Sequence, residues 1–276
     1  FITLGGRCAL VALLTDRFTD VAPVDGLRLM LFNVISVMTG TGYASDDYGN
    51  WGRAATALNT SVPDILARTD IFAHGTTAST NALIQRRGAR VGVLLTAGFE
   101  DTLTIARGPI GRVGGLPQQM AMDFIHTEPP EPIVPRNMVR GVRERVGSDG
   151  KVVVPLNENM LREAVEGLVA DGAESLAVCL LWAFRNPVHE ERIETLCQKL
   201  APGLPVSLSH QIAPKMGEFE RAVTTVINAY IGPLTEAYIG DLDNGLSDKG
   251  LANPVQIITS IGGAARAAHT GRPAVT

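Results

Sequence analysis

The sequence predicts an α/β protein with a mixed β-sheet and helices on both faces. Two observations carry that prediction. From Ser61 onward, short apolar runs alternate with helical repeats, the pattern of β-α-β units and parallel strand pairing. Before that, ALVALLT (9–15), FTDVAPVD (18–25) and LRLMLFNVIS are joined by tight turns and read as an antiparallel opening. A composition of 45% hydrophobic and 19% charged residues is that of an ordinary folded chain, and 276 residues suffice for one large domain or two smaller ones.

The elements follow in order. The Gly-, Asp- and Ser-rich stretch from Thr39 to Gly52 is a loop, in which Asp46 and Asp47 read as solvated. SVPDILA opens a helix, with Ser61 as N-cap and Pro63 in the first turn. DIFAHG is a short strand. ASTNALIQRRG is a helix stopped by Gly88, and ARVGVLLTAG is a buried strand leaving through a glycine. From Gly108 to Arg136 glycine and proline dominate, and the chain reads as a long irregular excursion; its GPIGRVGG lacks the strand-then-helix setting of a phosphate motif. ENMLREAVEGLVADG places Leu161, Val165, Leu168 and Val169 on one helical stripe. SLAVCLLWAF is a buried strand. NPVHEERIETLCQKL is a helix capped by Asn186, with Pro187 at its first position and Ile193, Leu196 and Leu200 aligned. PVSLS is a strand. In the long repeat EFERAVTTVINAYIGPLTEAYIGDL, Phe219, Val223, Val226 and Tyr230 share a face, and Pro233 is expected to kink or split the helix. NPVQIITSIGG is a last strand with a glycine turn.

The bulk numbers also exclude partners. A net charge of −4 gives no electrostatic footprint for nucleic acid or an anionic membrane. No run reaches the ~18 apolar residues of a membrane span, and no signal peptide is apparent, so a cytoplasmic protein is expected. Cys8, Cys179 and Cys197 have neither zinc-ligand nor redox spacing, and an odd count fits a reducing compartment. Cys179, inside an apolar run, reads as a buried inert thiol.

The stretch most open to function is HGTTASTNAL. Thr76, Thr77, Ser79, Thr80 and Asn81 cluster where a strand hands over to a helix, and the first amides of a helix point outward without internal partners. Two readings remain open there: a helix cap with packing hydroxyls, or a site that touches a ligand or partner subunit. His74 reads as a hydrogen-bonded rim histidine or as a catalyst, and Arg107 as an anion ligand or an ion-pair partner. Glu218, Glu220 and Arg221 open the long helix, where the dipole alone favours acids. Asn228, a poor helix former, is expected to bond a neighbouring loop.

Three matches in register resemble the hydantoinase A / oxoprolinase family. HGTTASTNALIQRRGARVGVLLTAGFED is similar to that family's HGTT-x-x-TNAL segment with its following RKGA and GF-D. GEFERAVTTVINAYIGPL is similar to its GE-(Y/F)-ER helix, and TSIGG to its QSNGG turn. The resemblance implies half of an actin-like, ribonuclease H-like ATPase fold with a second α/β subdomain. It also implies ATP and magnesium as cofactors of the assembled complex. Two departures from the family pattern stand out. Where the family has DVGGTFTD as its first phosphate loop, this chain has LLTDRFTD (13–20). Leu13 replaces the carboxylate, and Thr15 and Asp16 replace both glycines, so side chains stand where backbone should approach phosphate. The family's second glycine-rich stretch does not follow RPAVT.

The organisation expected from this resemblance has three parts. Residues 1–108 form an N-terminal-like α/β region with a degenerate phosphate loop, 109–140 the excursion, and 141–276 the start of a second α/β region, cut short. The function expected is that of a structural or regulatory subunit in a multi-subunit ATP-dependent ketone carboxylase resembling acetophenone carboxylase. Its partners would be a full-length hydantoinase A-like subunit and a hydantoinase B-like subunit in a hetero-oligomer. The alternative is the ATP-binding half of a split hydantoinase or 5-oxoprolinase-like amidohydrolase. Gly75, Thr76, Thr77 and Asn81 are the expected cofactor-binding residues, His74, Arg107, Glu220 and Arg221 the expected substrate or partner contacts. No catalytic residue, no metal ligand and no tightly bound cofactor are expected in this chain.

Overall fold

The computed structural model describes residues 61–107, 116–123, 131–259 and 263–267. The antiparallel opening, the loop with Asp46 and Asp47, and LLTDRFTD lie outside the described residues. The chain divides into two units. The first takes Phe1–Asn81 and Thr235–Ala274, the second Ala82–Leu234.

In the first unit, Ser61 opens helix α1 (Val62–Ala67) as expected. Its Oγ accepts the Asp64 amide at 3.2 Å while the Asp64 carboxylate accepts the Ser61 amide at 3.4 Å, a reciprocal capping box, and also the Ser61 hydroxyl at 2.6 Å. Strand β1 (Ala73–His74) leads through Gly75–Thr77 into helix α2 (Ala78–Ile84). A small mixed sheet forms when β1 pairs in parallel with β8 (Gln256–Ile258), which pairs antiparallel with β9 (Ala264–Arg266). Leu66, Ile239, Leu251, Val255, Ile257 and Ala267 close the core beneath it. Between β8 and β9 the Thr259 amide donates to the Gly263 carbonyl at 2.8 Å, the expected turn.

The second unit is built on a four-stranded parallel sheet, in the order β3-β2-β6-β7. Strand β2 (Val91–Thr96) is buried along its whole length, as is β6 (Ser175–Cys179). On either side lie β3 (Val139–Val142) and β7 (Val206–Leu208). Gly92 lets neighbouring side chains close over β2: a Cβ there would stand 3.1 Å from the Leu168 Cδ1 methyl and 2.9 Å from the Leu176 Cδ2 methyl. Between β2 and β3 the chain forms the short helices α3 (Thr102–Ile105) and α4 (Gln118–Met122), the latter inside the stretch expected to be irregular. A hairpin of β4 (Arg145–Val146) and β5 (Val152–Val154) follows β3.

Helix α5 (Glu158–Ala170) is capped by Asn157, whose Oδ1 accepts the Met160 amide at 3.1 Å. Its buried stripe is Leu161, Ala164, Val165 and Leu168; Val169 is 42% exposed, contrary to expectation. Eight residues on from Leu161, Val169 has turned about 80° from Leu161 and about 40° beyond Val165, at the margin of the buried face. Helix α6 (Val188–Leu200) begins one residue later than expected: Pro187 is its N-cap rather than its first helical residue, and Asn186 Oδ1 accepts the Val188 amide at 3.2 Å from just outside the helix. Helix α7 (Ser209–Ile212) precedes α8 (Glu218–Asp248).

Of the kink or split expected of α8 at Pro233, the split does not occur, and the helix runs unbroken for 31 residues. Proline has no N–H for the carbonyl of Ala229, and the buried Ser175 hydroxyl donates to that carbonyl instead, at 2.8 Å. The next carbonyl, of Tyr230, accepts the Ala89 amide at 2.8 Å. The buried side of the helix is also not the apolar row alone. It includes Arg221, Ala222, Thr225, Val226, Asn228, Ala229 and Tyr230, whereas Phe219 and Val223 are only half-buried. Asn228 donates to Ser207 Oγ at 2.9 Å, a bond to strand β7 rather than to the loop expected. Among the described residues, no helix is long and apolar enough to cross a membrane.

Candidate functional site

The expected site residues fall into two groups. His74, Gly75, Thr76, Thr77 and Asn81 lie at the carboxyl end of β1, in the first unit. Thr76 Oγ1 accepts the Ala78 amide at 3.1 Å and so caps α2. Asn81 reaches back one turn, its Nδ2 donating to Thr77 Oγ1 at 3.3 Å and its backbone amide to the Thr77 carbonyl at 2.8 Å. Two bonds tie this turn to the second half of α8: His74 Nε2 meets the Tyr238 hydroxyl at 2.8 Å, and Ser79 Oγ meets Thr235 Oγ1 at 2.8 Å. Burial holds the His74 imidazole below its ordinary pKa, because the charged form loses solvation.

Arg107, Glu220 and Arg221 lie in the second unit. Arg107 and Glu220 form an exposed ion pair at 2.6 Å. The Glu220 carboxyl sits below the usual range because its own backbone N–H, and then Arg107, favour the anion. Arg221 is 1% exposed and faces inward. Its Nε donates to Ser209 Oγ at 3.1 Å, one terminal nitrogen to the Lys215 carbonyl at 3.1 Å and the other to the Leu180 carbonyl at 2.6 Å. Phe184 lies 5.3 Å from its guanidinium carbon, within cation–π range.

Around Arg221 the structure gathers residues that sequence reasoning missed. Glu190 is fully buried. Its carboxylate accepts the Leu180 amide at 2.9 Å, the Ser209 hydroxyl at 2.6 Å, and both the amide and the imidazole Nδ1 of His210, at 3.0 and 2.7 Å. A parallel cluster joins Thr96, Glu144 and His189. The Thr96 hydroxyl donates to Glu144 and accepts the Leu181 amide at 3.0 Å, while His189 Nδ1 meets Glu144 at 2.7 Å. Among the described residues no buried side-chain nitrogen or oxygen lacks a hydrogen-bond partner, and these two clusters fix the loops beyond β2 and β6. Little in the sequence could have marked Glu190: beside Glu191 in a first helical turn, both read as dipole-favoured surface acids. Among the described residues, no three His, Cys, Asp or Glu side chains gather to hold a metal ion. Cys179 and Cys197 are buried, and burial pushes their thiols up to about 11 and about 12.

Residues 18–201 match the sequence pattern of the hydantoinase/oxoprolinase N-terminal region, well over half of the chain. The chain belongs to the hydantoinase/oxoprolinase family. Residues 221–276 continue into the region described as hydantoinase/oxoprolinase proper. Among family relatives, the acetophenone carboxylase gamma subunit of Aromatoleum aromaticum is 36% identical over 210 residues, covering 74% of this chain and 29% of its own. The caprolactamase alpha subunit of Pseudomonas jessenii is 33% identical over 212 residues, again 29% of its length. Two solved structures share the fold. Nucleotide-free acetone carboxylase aligns with a TM-score of 0.70 at 25% identity, over 81% of this chain and 32% of that one. The ATP-dependent caprolactamase of Pseudomonas jessenii aligns with a TM-score of 0.69 at 31% identity, over 80% and 32%. The chain thus spans about a third of these relatives' length. Its α/β architecture, with a parallel and a mixed sheet, accords with the actin-like half that the resemblance implied.

Proposed function

We propose that this hydantoinase/oxoprolinase chain is a subunit of a multi-subunit, ATP-dependent carboxylase acting on an aromatic or aliphatic ketone. In this reading its own nucleotide site is degenerate and its role structural or regulatory. The observation that carries the reading is LLTDRFTD at 13–20. A leucine in place of the leading carboxylate and two side chains in place of glycines remove both the metal-side charge and the backbone approach to phosphate. The likeness to the acetophenone and acetone carboxylase subunits supports the reaction class. ATP and magnesium then act in the complex, on a full-length hydantoinase A-like partner, with a hydantoinase B-like subunit completing the hetero-oligomer. His74, Arg107 and Glu220 are the groups offered to substrate or partner. Arg221, expected as a further contact, is buried instead, and through the Lys215 carbonyl it holds the turn that precedes Glu220. Calorimetry of the isolated chain with ATP and magnesium tests the proposal. No binding in the micromolar range is expected, and micromolar binding abolished by Thr76→Ala and Thr77→Ala would overturn it.

A second reading is favoured by the intact HGTT turn, in which the Thr76 cap and the His74–Tyr238 bond are both formed. In it, the chain is the ATP-binding half of a split hydantoinase- or oxoprolinase-like amidohydrolase. Its test is reconstitution with a partner that supplies the second glycine-rich stretch. Recovered ATP hydrolysis that depends on Thr76 supports this reading, and hydrolysis indifferent to Thr76 removes it.

A further inference from the structure

The parallel sheet of the second unit has a topological switch point. The chain leaves β2 for β3 on one side, but leaves β6 for β7 on the other, and β2 and β6 are neighbours. Where loops part in opposite directions from adjacent carboxyl ends, an open α/β sheet leaves a crevice, and ligands bind there. At the end of β6 the chain runs Leu180-Leu181-Trp182, and Trp182 has φ 59°, the left-handed region that a bulky side chain avoids. Three buried side chains impose that shape. Glu190 takes the Leu180 amide, Arg221 the Leu180 carbonyl and Thr96 the Leu181 amide. The Trp182 carbonyl is then closed off by the amides of Arg185 and Asn186, at 2.8 and 3.1 Å. The loop beyond β2 holds a second strained residue, Ala106 at φ 52°, just before the exposed Arg107.

Glycine would take the Trp182 conformation without strain, so a tryptophan held there is an outlier of the kind that clusters at functional sites. The indole remains partly exposed. Its centroid is 5.4 Å from that of Phe184, whose ring rests on the Arg221 guanidinium. We propose that Trp182 is the platform of a stacking site for a planar aromatic ring at the carboxyl ends of β2 and β6. The shared chemistry is a flat π-face, supplied by a nucleobase or by a substituted benzene. The site is independent of the HGTT turn, so its failure would leave the proposed function standing, and the reverse also holds.

The chain has two tryptophans, and Trp51 lies outside the described residues, so Trp51→Phe makes Trp182 the sole indole reporter. Its emission is titrated with adenosine and with benzoate, using acetate as the non-aromatic control. Saturable quenching by adenosine alone assigns a nucleobase, and by benzoate alone an arene; either supports the site. In calorimetry with the quenching probe, Trp182→Phe should keep most of the affinity. Trp182→Leu should lose about tenfold, the scale of one base–aromatic stack. The proposal is overturned if neither aromatic probe changes the emission, if acetate changes it equally, or if Trp182→Leu binds as well as the parent.

Discussion

Replacing Arg221 by methionine tests the buried clamp most directly. Methionine fills much of the volume and removes all three donors, so the Leu180 and Lys215 carbonyls lose their side-chain partner and Ser209 loses a donor. Each stranded buried acceptor costs about 1–3 kcal/mol. Glu190 touches Arg221 only through the Ser209 hydroxyl and keeps its direct partner His210, so it loses a neighbour rather than a paired charge. A net loss of about 4 kcal/mol is expected from the stranded acceptors, a large share of the ~5–15 kcal/mol that holds a typical domain. Urea denaturation reads it as a lowered midpoint at unchanged slope. Because Ser209 Oγ relays between the two charges, Ser209→Ala combined with Arg221→Met should show a coupling energy of about 0.5–3 kcal/mol. A stability within ~1 kcal/mol of the parent, or strictly additive losses, would refute the clamp.

Gly88→Ala should destabilise by about 1–3 kcal/mol through overpacking, because a Cβ there would sit 2.3 Å from the Tyr230 ring; an unchanged melting temperature would contradict it. In a Cys8→Ser background, neither Cys179 nor Cys197 should react with a thiol reagent at mildly alkaline pH until the protein is unfolded, since burial places both thiols near 11 or 12; prompt labelling of the native chain would show otherwise. His74 should titrate below 6.5 in an NMR experiment. With a folded pKa lower than the unfolded one, the native state binds fewer protons in that window. Its contribution is therefore fully present above about 6.5 and lost as pH falls through the folded value, and a ring titrating at or above 6.5 would reverse the sign.

Much of the second unit was legible in the sequence because periodicity and capping agree there. VGVLLT and SLAVC are continuous apolar runs, as strands buried on both faces must be. The Asn186-Pro187 pair marks the start of its helix to within one residue, whereas the Asn157 cap was not read from the sequence. The β4–β5 hairpin was missed although its Asp-Gly turn is flanked by valines, because each strand is only two or three residues long. The polar interior of α8 was illegible for another reason. Arg221 read as an outward contact, and Asn228 as bonded to a loop, until partners distant in sequence, Leu180 and Ser207, are brought beneath them. At the candidate site, the HGTT turn was legible as a cap, and an ion pair was one of two open readings for Arg107, but its partner Glu220, 113 residues on, was not legible.

The serine that completes α8 has a consequence for how the protein acquires its shape. A free peptide spanning Glu218–Asp248 would fray at Pro233, because the Ala229 carbonyl finds no partner within the helix. That partner, Ser175, sits at the start of β6, 54 residues earlier, so the two halves of the helix become one only when the strand is in place. Continuity of the helix is thus a late, tertiary event, and assembly of α8 on β6 is a candidate for the rate-limiting step. Ser175→Ala should then slow refolding more than it hastens unfolding in a chevron experiment, and a change confined to the unfolding limb would place the event after the barrier.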